Sequence, residues 1–175
     1  MPQDASNARR RVSSLAASVC LAAVLHAPAA EAGPRENADR MSTRALVAGT
    51  ATVAAAKLRR PECSQVLSDF HEPAGRSLAE VLEERGTNAA EFLANLRFVD
   101  GGAVPRCAGG RVAAAANFGS PIVAVCKATF ARVQYETPGL AANVLIHEML
   151  HALGLGEDPP TSEEINRHVM RRCGP

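Results

Sequence analysis

Residues 145–158 read Leu-Ile-His-Glu-Met-Leu-His-Ala-Leu-Gly-Leu-Gly-Glu-Asp, and the rest of the chain is read outward from them. His147 and His151 stand four residues apart. On an α-helix that spacing puts both imidazoles on one face, one turn apart, within reach of a single metal ion. Glu148 follows the first histidine and is rotated from it by about 100° on the helix. It can therefore reach a water beside such an ion without being a ligand itself.

The helix around this stretch has both its ends written in the sequence. Thr137 can serve as N-cap and Pro138 suits the first helical position, where no N–H is required. Val144, Leu145, Met149 and Ala152 give it an apolar side, and Gly154 ends it by taking the left-handed conformation without steric cost. A helix that stops three residues after His151 lets the chain turn back. Glu157 lies six residues beyond His151, with Gly154 and Gly156 between them, so its carboxylate can return to the same ion.

The run from His147 to Glu157 resembles the metzincin pattern H-E-x-x-H-x-x-G-x-x-H, with Glu157 where that family has its third histidine. Related short families carry Asp there. The resemblance covers residues 147–157 and implies a zincin-type metallopeptidase. His147, His151 and Glu157 would hold Zn2+, and Glu148 would act as general base. Asp158 neighbours Glu157 and is a rival third ligand; Glu164 and His168, four apart on a later helix, are rivals of the gluzincin kind. Met170 stands thirteen residues after Glu157, where it can imitate a metzincin Met-turn or simply pack in the core. The order Cys126-x-x-x-Phe130, a loop, then Ile146-His147-Glu148 also resembles the fungal aspzincin endopeptidases, whose downstream Gly-Thr-x-x-Asp is absent here. The competing reading is a helix with two surface histidines and no metal. The apolar flanks Val144-Leu145-Ile146 and Leu153 argue for burial instead.

Residues 1–32 read as a secretory signal peptide of bacterial style. Arg9-Arg10-Arg11 precede an apolar run over 12–27, and Ala27-Pro28-Ala29 and Ala30-Glu31-Ala32 are small-x-small cleavage sites. The run is too short to span a bilayer comfortably, so no stable membrane insertion is expected after cleavage. Removing it also removes Cys20 and leaves Cys63, Cys107, Cys126 and Cys173, an even number that an oxidising compartment can join as two disulfides in any of three pairings. The expected location is secreted or periplasmic. Residues 33–60 read as a linker or flexible arm in which the Ala-rich run 45–57 is a marginal helix, so the folded domain is expected over 61–175.

Within that domain, helices are expected over 63–70, over 77–84 with Leu78, Val81 and Leu82 on one face, and over 89–96 behind the Asn88/Glu91 capping pair, burying Phe92 and Leu96. Arg97-Phe98-Val99 reads as extended. Two strands, 111–116 and 121–126, flank a Phe118-Gly119-Ser120 turn, and either can offer an edge to an extended peptide. Thr161 and Glu164 form a further capping box for a last helix with Ile165 and Val169 on its inner face. The expected class is α+β: a small zincin-like domain with a short, mostly antiparallel sheet and a late active-site helix.

Lys+Arg 19 against Asp+Glu 18 gives no basic field for nucleic acid, and no G-x-S-x-G marks a serine hydrolase. The function expected is zinc-dependent hydrolysis of peptide bonds in a peptide or protein substrate by a monomer. Tyr135, the one tyrosine, is the candidate to steady the oxyanion. Two alternatives stand beside it: a catalytically silent secreted binding module on a zincin scaffold, and an amidase acting on cell-wall peptides.

Overall fold

The computed structural model describes residues 41–175; the export signal read at 1–32 lies outside them. In chain order the elements are α1 (Thr43–Leu58), α2 (Pro61–Ser64), α3 (Val66–Asp69), α4 (Leu78–Glu84), α5 (Ala89–Ala94), β1 (Arg97–Asp100), α6 (Pro105–Ala108), β2 (Ala114–Ala116), β3 (Ile122–Val125), α7 (Lys127–Glu136), α8 (Pro138–Leu153) and α9 (Ser162–Cys173). The class is α+β. Among the described residues, no helix is long and apolar enough to cross a membrane.

Helix α8 carries His147 and His151 and is the centre of the packing. Ala141, Ala142, Leu145, Ile146, Met149 and Leu150 are all without exposed surface. The apolar side expected from Val144, Leu145, Met149 and Ala152 is therefore too narrow: the helix is buried nearly all round, as a central core helix must be. It packs against α1, α7, α9 and β2.

The arm expected over 33–60 is corrected over its described part. Residues 43–58 are a sixteen-residue helix whose Leu46, Val47, Ala54, Ala55 and Leu58 are buried. Two features hid it. Alanine is the best helix former and carries little side chain to mark a face. The helix is also apolar on several sides, so no stripe stands out. Its small residues let it lie closely on α8. Ser42 caps it by accepting from the Ala45 N–H at 3.2 Å. The folded unit thus includes α1 rather than starting at residue 61.

Lys57 ties α1 to the far end of the chain. Its buried ammonium donates to Asn143 Oδ1 at 3.0 Å and to oxygens of Gly139, Gly174 and Pro175 at 3.2, 2.9 and 2.9 Å. Burial, and then the charge of Arg60, hold its pKa below the usual lysine value. Gly139 has to be glycine for this junction, because a Cβ there would stand 2.2 Å from the Pro175 carbonyl carbon.

The sheet is mixed rather than mostly antiparallel. Its order is β1-β3-β2, with β2 antiparallel to β3 and β1 parallel to it. The hairpin expected around Phe118-Gly119-Ser120 is present. The parallel partner is β1: the chain leaves it, passes through α6 and β2, and returns as β3 between the two. Strand β2 is left as the edge facing α8.

The stretch after Phe130 read as a loop belongs instead to helix α7, which begins at Lys127 and buries Thr129, Phe130 and Ala131, and to the start of α8. Gln134 fastens it to α1 by donating to Leu46 O at 3.2 Å and Thr50 Oγ1 at 2.8 Å. The capping boxes at Ser77/Glu80 and Thr161/Glu164 are both complete. In α5 the Asn88 cap holds, but Leu93 is the fully buried residue, while Phe92 is partly exposed with the Arg85 guanidinium 5.3 Å from its ring. The four cysteines pair as Cys63–Cys173 and Cys107–Cys126. The first joins α2 to the end of α9. Beside it Asp69 accepts from Arg172 Nε at 2.7 Å and pairs with His168 Nε2 at 2.8 Å.

Candidate metal centre

The end of α8 shapes the site. Gly154 has φ 116°, the left-handed value that favours glycine. Its N–H donates to His151 O and the Leu155 N–H donates to Leu150 O, both at 3.0 Å. This is the double bond of a Schellman turn. Thr137 supplies no side-chain cap, so Pro138 alone carries the expected N-terminal signal. The Schellman turn folds Leu155 back beneath His151, whose Nδ1 lies 2.8 Å from Leu155 O. A carbonyl oxygen can only accept, so His151 carries its proton on Nδ1 and presents a lone pair at Nε2. His147 is held in the same way by Asn166 of α9, whose Oδ1 lies 2.8 Å from Nδ1.

Both free ring nitrogens converge. His147 Nε2 and His151 Nε2 are 2.9 Å apart, and Glu157 Oε1 lies 3.9 and 3.3 Å from them. A tetrahedral zinc with bonds of about 2.0–2.1 Å asks for donors roughly 3.3 Å apart, and these three separations bracket that value. Two imidazoles and one carboxylate are a donor set that zinc accepts. His147, His151 and Glu157 thus form a group that could hold a metal ion. Burial, then the neighbouring His151, push the His147 pKa down to about 4. The ring is therefore neutral near pH 7, as a ligand must be.

Glu148 is 6 % exposed, on the same helix turn, and lines the same cavity as the three donors. Its Oε2 accepts from the Ala116 N–H, at the end of edge strand β2, at 2.6 Å. Burial raises its pKa to about 7 against the lowering effect of that hydrogen bond. A carboxyl group poised near neutrality can both take and give a proton.

The rival ligands go elsewhere. Asp158 is exposed. Glu164 turns back on Thr161 in the capping box, and His168 pairs with Asp69 and lies tilted against the Phe70 ring, centroids 5.0 Å apart. Glu164 and His168, four apart on α9, thus have two separate roles and share no site. Met170 lies on α9 at the rim of the cleft, 45 % exposed, as neither a core residue nor a turn beneath the metal. Tyr135 is 76 % exposed on α7 and does not line the cavity, so the oxyanion role expected of it is not supported.

Two neighbours of the site escaped the sequence reading. Asn166 sits between Glu164 and His168, with no feature to single it out beyond being a poor helix former in mid-helix. Arg106, on the short α6 next to disulfide-bonded Cys107, places Nη2 3.5 Å from Glu157 Oε2. Asn166→Ala should lower zinc affinity about 10–100-fold by freeing the His147 ring, the usual cost of losing an outer-shell partner. Competition with a chromophoric chelator measures this, and an unchanged affinity would remove Asn166 from the site.

The donors lie where two cavities meet, one of about 590 Å³ between β2, α7, α8 and α9, the other of about 480 Å³ beside the β2–β3 turn; Arg106, His151 and Glu157 line both. No protein-family model, curated protein or solved structure matches the chain.

Proposed function

We propose that the protein is a zinc-dependent peptidase acting outside the cytoplasm. The observation that carries this reading is the convergence of His147 Nε2, His151 Nε2 and Glu157 Oε1, with both imidazole tautomers held from behind and Glu148 buried beside them. Zinc, when bound, would act as a Lewis acid toward a carbonyl and make water more acidic.

The chain's own residues supply the remaining chemistry. Glu148 takes a proton from the attacking water and passes it to the leaving amine. Because Ala116 N–H holds Oε2, the second carboxylate oxygen keeps one orientation for that transfer. The substrate backbone has a natural dock in β2. Ala113 O accepts from Cys126 N, so by strand alternation residues 113 and 115 face β3 while Ala114 and Ala116 turn their polar groups outward. With the Ala116 N–H taken by Glu148, the N–H and C=O of Ala114 and the C=O of Ala116 suit an extended peptide added to the sheet edge. Two disulfides fit the export read from the N-terminal sequence.

The test is a panel of quenched fluorescent peptides, with cell-wall stem peptides included to reveal an amidase. Cleavage should vanish with a chelator and return on adding zinc. Zinc-loaded protein that leaves every substrate intact would favour the silent binding module.

A further inference from the structure

The two cavities that meet at the metal donors differ in charge. The one between β2 and α7 is lined by Arg111 and Arg132 as well as Arg106, and its only carboxylates are Glu148 and Glu157. The cavity beside the β2–β3 turn shares Arg106 and Glu157 but has no other charged side chain; Phe118 and Ile122 lie in its wall, 58 % and 38 % exposed. Arg106 is engaged with Glu157, and Arg132 lies 3.5 Å from Glu136. Arg111 is exposed and pairs with no carboxylate among the described residues.

From this asymmetry we infer that the cleft selects peptides carrying an acidic side chain on one side only of the bond to be cut, the side that lies in the Arg111/Arg132 lobe. The inference rests on the peptidase reading. A guanidinium offers a planar fork of donors that matches a carboxylate. The two carboxylates in that lobe do not cancel the arginines once a divalent cation shares their field. Glu157 would be spent on the ion. A substrate lysine would meet two or three guanidinium groups, and like charges placed together are a strong source of discrimination. In the other lobe the one guanidinium is Arg106, which both lobes share and which Glu157 engages; the exposed Phe118 ring and Ile122 offer an acidic side chain no partner.

Two peptide series test this, one varying the residue before the scissile bond and one the residue after it, each through Glu, Gln and Lys. In one series Glu should exceed Lys in kcat/KM by about 5–10-fold, the scale of one or two solvent-exposed ion pairs; in the other, charge should have little effect. Arg111→Glu should erase or reverse the preference, and Arg111→Gln should halve it or more; the position is exposed, and folding is checked by circular dichroism. Fluorescence anisotropy on the Glu148→Gln protein reads binding of the same peptides without turnover. Cleavage and binding that ignore charge, or that gain equally in both series, would overturn the acidic subsite and leave the peptidase standing. Binding that prefers glutamate through Arg111, with no peptide ever cleaved by the wild type, would keep the subsite and remove the peptidase.

Discussion

The expected result of Glu148→Gln is a protein that keeps its zinc but hydrolyses peptides about 10²–10⁴-fold more slowly, the range for losing general acid–base help. Glutamine keeps the shape of a side chain that is 6 % exposed, and its amide oxygen can still accept from the Ala116 N–H. Packing against β2 therefore survives. What disappears is an oxygen able to accept and return a proton. None of the three metal donors is altered, so zinc content by elemental analysis should match the wild type. A variant that cleaves at the normal rate would show that Glu148 carries no proton, and a variant that loses zinc would make it a ligand.

The second large effect concerns the disulfides. Cys63–Cys173 closes a loop with a sequence separation of 110, and Cys107–Cys126 one of 19. In the chain-entropy account a bridge around about 100 residues contributes near 4.7 kcal/mol, and one around about 15 residues near 3. Replacing Cys63 and Cys173 together by serine should therefore cost more stability than replacing Cys107 and Cys126. Urea denaturation of the two double variants gives the order, and equal or reversed losses would count against it. The effects on function should run the other way. The inner bridge anchors α6, and with it Arg106 beside Glu157, whereas α9 keeps its grip on α3 through Arg172 and Asp69.

The parts of the fold that were legible in the sequence are those signalled by one residue acting locally. Asn88, and Thr161 with Glu164, mark helix starts by bonding their own first turns. Pro138 and Gly154 bracket α8 through backbone geometry alone. The grouping of His147, His151 and Glu157 followed from helix spacing and a glycine turn, both local. What could not be read depends on partners far along the chain. Helix α1 looked like an arm because alanines show no face until α8 lies against them. Helix α7 does not read as a helix because its burial rests on Phe130 and its tie to α1 on Gln134, whose acceptors Leu46 and Thr50 lie 88 and 84 residues earlier in the chain. The parallel pairing of β1 with β3 is a property of topology rather than of either strand. Asn166 supports His147 from α9, a separate helix packed on α8, and Arg106 meets Glu157 from α6, whose Cys107 is bonded to Cys126. Tyr135 shows the converse: residue type suggested a role, and its place on the outer side of α7 withdraws it.

The central claim is that His147, His151 and Glu157 together hold one zinc ion. Zinc titration of the metal-free protein against a competing chelator, on the wild type and on single alanine variants at 157, 158, 164 and 168, tests it most directly. The account predicts one zinc per chain. It also predicts that Glu157→Ala loses more affinity than the roughly 100-fold upper range of an outer-shell change, while Asp158→Ala, Glu164→Ala and His168→Ala bind as the wild type does. Normal binding by Glu157→Ala, with loss in any of the other three, would contradict it and move the third ligand to that residue.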